Sequence, residues 1–520
     1  MPMVSGSVPF AREGAMPMSM VARSVGTVRL SVRATKGLVV FHRWIGVALC
    51  LFFAMWFATG AVMIYVPYPF LGDSVRIARD AGIAAAEVTV SPAQALAASG
   101  VAALGRLRLL EVNGRAVYVL NPARGAQIMV SATTGQVLPG IDASSARAIA
   151  EAFSGSPVAS VAGPVEYDQW MVHHRFDRYR PFYRVTLADE AGTDLYVSGR
   201  SGEVMQRTTG RERAWNSVGA VLHWIYPTVL RKSWVVWDRT VWWLSLVGVF
   251  VTLAGIWLGL LRWRTVARSG RGGISPYRGW MKWHHVGGLL TATFVFTWMF
   301  SGWLSMDHGR LFSTGEMTDA EGSAYAGLPI PEAAKAVTPD MIKALLPASE
   351  VEVTALAGKP YLVARGGGHS PKVAQVEGAS ILPATASFPE EAIRAAVRAA
   401  FPGAAVGSPE PISTSDVYAN LRSSDGIGTD GVRVPVRDGA DTAVYVNPIT
   451  GKVIEVMDTS RRAYRWLYFG LHTLDFPFLR RDAVWTPLML LLLAGGFAFS
   501  VTGITIGWRR IVRKVRRFRA

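Results

Sequence analysis

The sequence predicts a membrane protein: four transmembrane α-helices in a tandem-duplicated bundle, carrying two external α+β domains. Three observations predict it. Of the 520 residues 50% are hydrophobic and only 18% are charged, too little charge to clothe a soluble chain of this size. Four apolar stretches, residues 38–66, 241–261, 284–306 and 485–508, each reach the roughly 20 residues of helix that cross hydrocarbon. The chain also repeats upon itself, in register, at both ends of its external segments.

Charge sets the expected topology. Residues 1–43 carry six Lys/Arg and one acid, residues 262–283 carry six and none, and residues 508–520 carry seven and none. These short segments hold 19 of the 54 basic residues and one of the 37 acids, so the formal charge of +17 is a topology signal and not a nucleic-acid footprint. Both termini and the middle loop are expected in the cytoplasm, and the long segments, about 67–240 and 307–484, outside. The first apolar run begins near residue 38, is long enough to span and is followed by no convincing cleavage site, so it is expected to be its own anchor. The single cysteine, Cys50, lies in that run, which excludes intrachain disulfides, a thiolate metal cluster and covalent haem attachment.

In chain order, the first external part predicts a helix over 92–99, strands over 106–112 and 116–120 joined by the hairpin signal Asn113-Gly114, and strands over 127–130 and 136–138. A helix over 144–153 then precedes strands near 183–187, 194–197 and 203–206. The second part repeats the scheme: a helix over 339–346, strands near 351–355 and 361–364, a helix over 389–400, and strands near 432–436, 443–446 and 452–455. The Gly-rich stretches 366–368 and 423–431 read as solvent-facing loops. A shift of 242 lays residues 41–63 over 283–305 with five identities, His42/His284, Gly46/Gly288, Phe52/Phe294, Trp56/Trp298 and Gly60/Gly302. A shift of 249 lays 196–223 over 445–472 with eight, ending in Leu222/Leu471 and His223/His472. Each unit starts and ends on the same side, so a pseudo-two-fold axis along the membrane normal is expected.

Histidine placement carries the chemistry. Ionisable residues inside a membrane are costly and so mark function by default, and neutral imidazole ligates haem iron. His42 and His284 sit at the cytoplasmic ends of the first and third spans. Eighteen residues separate His42 from Gly60, five full turns at 100° each, which places Gly46 near and Gly60 on the histidine's stripe; Gly288 and Gly302 repeat this for His284. Small residues there let a flat macrocycle approach the backbone, although glycine also serves plain helix packing and a terminal histidine plain anchoring. His223 and His472 lie in short aromatic segments closed by Pro227 and Pro477, suited to an interfacial or re-entrant helix at the outer face. A whole bilayer core separates the two pairs, so two stacked sites are expected. Paired imidazoles among Trp56, Trp298, Phe52 and Phe294 suit b-type haem, two per chain, better than four-ligand zinc. His285 is an alternative to His284 or a propionate partner. His173, His174, His308 and His369 lack histidine counterparts. No phosphate loop, dinucleotide fingerprint, zinc-protease motif or nucleophile elbow is present, so electrons would come from a cytoplasmic partner or a membrane quinol.

The stretch from His42-Arg43-Trp44-Ile45-Gly46 to Thr59-Gly60, the Tyr-Val-x-x-x-Ser/Thr-Gly-x-Val motif at Tyr196 and Tyr445, the run from Asp168 through Arg180-Pro181-Phe182-Tyr183 to Trp215-Asn216, and the Leu-His segments resemble the PepSY-associated transmembrane-helix family. The resemblance implies a bacterial inner-membrane protein with periplasmic PepSY domains, here 67–210 and 307–459, each followed by a histidine-bearing segment, 211–240 and 460–484. It also implies a link to iron acquisition, some relatives being haem reductases of siderophore-bound iron. Its motif histidines fall on His42, His223 and His472, while His284-His285-Val286 departs from the pattern. The expectation is a di-haem conduit reducing ferric siderophore or a related iron chelate. The competing one is a non-redox tethered PepSY module that assists siderophore transport or restrains a peptidase.

Overall fold

The computed structural model describes residues 32–270, 272–422 and 427–519. Most of the expected N-terminal tail, 1–37, and part of the 423–431 loop lie outside them. Among the described residues four helices are long and apolar enough to cross a membrane: Val32–Tyr65, Trp234–Arg268, Trp280–Leu304 and Asp482–Arg519. Each begins before its apolar stretch, and the second and fourth also run past theirs into Arg-rich turns. The first span packs along the fourth and the second along the third. Phe53, Phe57, Trp298, Met299, Trp485 and Leu493 fill the middle of the bundle.

The sheet-bearing segments follow the first and third spans and lie on one side of the bundle by chain alternation. In the first, Ser91 caps the helix Pro92–Ser99 in a capping box with Gln94, and Gly100 ends it in a left-handed conformation. Asn113 and Gly114, at φ 52° and 80°, make the tight turn between Leu104–Val112 and Arg115–Pro122. Ala357 and Gly358 repeat that turn, at 50° and 77°, between Glu350–Leu356 and Lys359–Gly366.

These hairpins meet. Leu104–Val112 pairs antiparallel with Glu350–Leu356, Leu107 opposite Val353 and Leu109 opposite Val351, so four strands from each half form one eight-stranded sheet. The alternation in each hairpin was legible in the sequence; the pairing between them was not, since each strand separately reads as a finished edge. A buried charge network sits at the seam. Arg108 holds Glu203 at 2.5 and 2.9 Å and Glu350 at 3.1 Å, Arg106 takes Glu352, and Arg76 reaches Glu350 at 3.2 Å.

Each half adds a second antiparallel sheet, Phe182–Leu187, Asp194–Ser198 and Val204–Thr208 in the first and Val432–Arg437, Thr442–Val446 and Val453–Met457 in the second. The helices Ala143–Ser154 and Glu390–Ala400 contribute to the same cores. Tyr196 and Tyr445 donate to Asp168 and Asp416, each at 2.8 Å, one bond in both copies. The strand Val158–Val165 escapes sequence reading because it is an edge with both faces largely exposed and carries Gly163-Pro164, so no alternation marks it.

Candidate functional site

The bundle brings the four expected histidines together in two pairs, each with one member from each half. On the basic side the rings of His42 and His284 have centroids 6.4 Å apart, tilted by 40°. On the sheet side those of His223 and His472 are 6.3 Å apart, tilted by 72°. Two imidazole nitrogens about 2 Å on either side of a metal, each about 1 Å from its ring centre, put the centroids about 6 Å apart. Both separations would let the two imidazoles of a pair hold one metal ion between them.

Hydrogen bonds fix each tautomer. His42 Nδ1 lies 3.1 Å from the carbonyl of Val251, which only accepts, so Nδ1 carries the proton and Nε2 keeps its lone pair. His223 Nδ1 donates to Thr59 Oγ1 at 3.0 Å, the hydroxyl proton going to the Met55 carbonyl at 2.7 Å. His472 Nδ1 meets Ser301 Oγ at 3.1 Å, and that hydroxyl points at the Trp298 carbonyl. His284 Nδ1 meets Thr502 Oγ1 at 2.9 Å, whose proton goes to Phe499 O. All four Nε2 atoms are free to ligate. Thr59 and Ser301 are equivalent under the 242 shift, so the supporting hydroxyl is duplicated along with the ligand. His285 differs: Nε2 bonds the Gly259 carbonyl and Nδ1 the Ser275 hydroxyl, each at 2.9 Å. Both nitrogens are occupied, which leaves His284 as the member of the pair.

Glycines back the rings. A Cβ on Gly60 would lie 3.6 Å from His223 Cε1, and one on Gly302 would lie 3.6 Å from His472 Cε1. Gly46 faces Val251, and Gly288 faces Phe499, whose ring stacks on His284 at 4.9 Å. The glycines against the basic-side pair are instead Gly255, where a Cβ would come within 2.7 Å of His42 Cε1, and Gly503, at 3.6 Å from His284 Cε1. Sequence reasoning missed them, yet a shift of 248 reveals them: Trp237/Trp485, Gly248/Gly496, Gly255/Gly503 and Gly259/Gly507.

The sheet-side histidines enter from above. The short helix Ala220–His223 and the end of the wide turn Trp466–Gly470 descend from the external parts and place His223 and His472 beside the first and third spans. Each histidine thus ends a short helical segment packed against a span. Trp56 Nε1 donates to the His223 carbonyl at 2.9 Å. Among the described residues no group of three or more His, Cys, Asp or Glu side chains is placed to hold a metal ion. Two imidazoles per site among apolar side chains suit an iron whose other four ligands come with a macrocycle, and fall short of the four protein ligands of structural zinc.

Residues 39–376, more than half of the chain, match the family model described as the PepSY-associated TM region. No curated protein matches the chain. With four helices able to span a bilayer, duplicated motifs and this match, the protein is a multi-pass membrane protein and belongs to the PepSY-associated transmembrane family.

Proposed function

We propose that the protein is a transmembrane electron conduit that holds two b-type haems and reduces a ferric siderophore or related iron chelate on its sheet-bearing side. The observation that carries this reading is the pair of ring separations, 6.4 and 6.3 Å, each between histidines from opposite halves with Nε2 unprotonated. Haem in such a site supplies a one-electron couple whose potential the axial imidazoles and their surroundings tune.

The chain's own contributions follow from its bonds. Val251 O, Thr59, Ser301 and Thr502 accept from the Nδ1 protons, which orients each ring and raises its basicity toward iron. The glycines admit the rings close to the helix backbones. Phe53, Phe57 and Trp298 separate the two levels and exclude water between them. The Lys/Arg excess of the middle loop and C-terminal segment supports reading that side as the cytoplasmic face of a bacterial inner membrane and the sheets as PepSY-like domains in the periplasm. A cytoplasmic donor or a membrane quinol supplies the electrons in this reading, since the basic loop between the second and third spans is too short for a nicotinamide or flavin domain.

Haem content tests the proposal. Purified protein is expected to contain about two haems per chain, with bis-imidazole spectra on reduction. His223→Ala or His472→Ala should each remove one and leave the other. A colourless wild type ends the electron-transfer reading and leaves the tethered external sheets as the functional part.

A further inference from the structure

The duplication breaks down beside the sheet-side pair. In the second half Arg480 and Arg465 converge on Asp475 at 3.0 and 3.1 Å, and Asp475 is 1% exposed. The shift of 249 that superposes His223 on His472 puts Arg231 at the place of Arg480 and Tyr226 at that of Asp475. The first half has kept the arginine and lost its carboxylate. Arg231 is 1% exposed, its Nε has no hydrogen-bond partner, and among the described residues no carboxylate lies within ion-pair distance of it. The rings of Trp237, Trp234 and Tyr226, at 4.6, 4.7 and 5.0 Å from its guanidinium carbon, offset part of the cost of burying that charge. The remainder calls for an anion.

Three of the histidines without counterparts, His173, His174 and His308, gather near this arginine. Arg231 Nη2 lies 3.4 Å from His174 Nδ1. Arginine only donates, so that nitrogen accepts and the exposed Nε2 of His174 carries a proton. His173 stacks on His174 at 4.1 Å, and its Nδ1 accepts from the backbone N–H of Arg175. His174 and His308 both pack against Trp234, at 4.6 and 4.9 Å. The nearby acid Asp238 gives one carboxylate oxygen to Arg310, and its other oxygen stands 3.5 Å from His308 Nε2. Burial, then His174 and Arg231, hold His173 down to about 3, and burial with Arg231 lowers His174. His173 and His174 are therefore neutral donors beside the Arg231 cation, while His308 stands between Trp234 and Asp238. Ring contacts run from this place to the residue after His223: Trp234 to Trp237 at 5.4 Å, Trp237 to Tyr226 at 5.6 Å, and Tyr226 to Trp224 at 5.6 Å.

We propose that the surface formed by His174 and His308, with Arg231 behind His174 as counter-charge, binds an anionic metal chelate with oxygen ligands, the ferric substrate of the conduit. This rests on the proposed function for the identity of the substrate. The haem that His223 and His472 would hold would supply one electron, and the chelated iron would take it up in passing from ferric to ferrous. No bond or proton changes hands. Ferrous iron binds hard oxygen donors less tightly and dissociates.

The test reads binding without electron transfer. Full-length protein in neutral detergent is titrated with gallium(III) citrate, a redox-silent stand-in for a ferric chelate, by calorimetry. His174→Ala removes an exposed donor, and Tyr226→Asp gives Arg231 the carboxylate that the other half already has; each is expected to weaken binding about tenfold or more. His369→Ala, at a distant exposed histidine, should change nothing. Unchanged affinity in both His174→Ala and Tyr226→Asp overturns the proposal, as does displacement of gallium citrate by phosphatidylglycerol at equal concentration, which would make the occupant a lipid headgroup. A colourless protein that binds gallium citrate here sinks the haem reading alone; a haem-loaded protein that does not bind it sinks this one alone.

Discussion

At the scale of single residues, the space behind each ring decides what the site tolerates. A Cβ at Gly255 would stand 2.7 Å from His42 Cε1, closer than real Cβ atoms come, whereas at Gly302 it would stand 3.6 Å from His472 Cε1, an ordinary contact. Gly255→Ala is therefore expected to displace the His42 ring and lower haem content to about one per chain, the sheet-side haem being retained, while Gly302→Ala keeps about two. Pyridine haemochromogen assays on the two variants check the contrast, and equal haem content in both would contradict it. The histidines were legible in the sequence because a ligand and its twin recur at a fixed shift. The glycines behind the basic-side rings were not, because they sit on the second and fourth spans, where the shift changes to 248. Helical stripes on one span report which residues share a face, and are silent on which neighbouring helix turns its backbone toward that face. The Nδ1 acceptors show the same limit: Thr59 and Ser301 lie one residue before a recognised glycine, yet nothing local marks a hydroxyl already bonded to its own helix as a histidine's partner.

Among the elements, the short histidine-bearing segments do one job by two routes. In the first half the helix Gly210–Val218 breaks at Gly219, and Ala220–His223 carries on downward. In the second half Thr459–Arg465 runs on through a wide turn, Trp466–Gly470, to His472. Wide turns of this kind recur at functional sites. After each histidine the chain reverses at a left-handed residue, Ile225 at φ 50° and Leu474 at φ 52°. Trp237 and Trp485 then donate to the exposed carbonyls of Ile225 and Thr473, at 3.0 and 2.7 Å. A β-branched residue at positive φ is strained, and holding it there demands this bracing. The sequence placed these segments at the outer face from their aromatic content and closing prolines. It could not show that they pack against the spans, because a helix tip of four residues has too few positions to display periodicity. Gly219 is the weak point of the first route: a Cβ there would meet Val62 at 2.9 Å and the Trp215 carbonyl at 3.1 Å. Gly219→Val is expected to lift His223 away from His472 and remove the sheet-side haem, with far-UV circular dichroism of the external sheets unchanged. Two haems in that variant would show that the break is not needed to seat the histidine.

Across the whole molecule, every shared feature joins the halves: one histidine from each at both sites, four strands from each in the long sheet, and a charge network at the seam. A chain cut in the basic loop between the second and third spans should therefore be colourless as either half alone and regain two haems when the halves are produced together, since neither half holds both imidazoles of any site. The network makes that reassembly sensitive to acid, and its sign can be worked out. Burial pushes the Glu203 carboxyl up, but Arg108 and Arg76 pull it down to about 2; Arg106 brings Glu352 to about 2 against the same burial; Glu350 is held well below the usual range among Arg108, Arg106, Arg365 and Arg76. Glu203 is held by arginines of its own half, so the carboxylates that stabilise the seam are Glu350 and Glu352, fully above the ordinary glutamate range, near 4.5, and with that stabilisation lost as pH falls toward 2. Asp80 has the opposite sign: burial raises it to about 6, so its protonation between about 6 and 4 favours the folded state slightly and delays the loss. Dissociation of the cut halves is expected to begin only below about pH 4.5 and to steepen toward pH 2, read as loss of co-purification. Replacing the central arginine, Arg108→Met, leaves Glu203 and Glu350 buried with fewer cations, at a cost on the order of 3–5 kcal/mol. It should move that dissociation into the neutral range, and halves that stay together at pH 7 in this variant would assign the joint to strand pairing in place of charge.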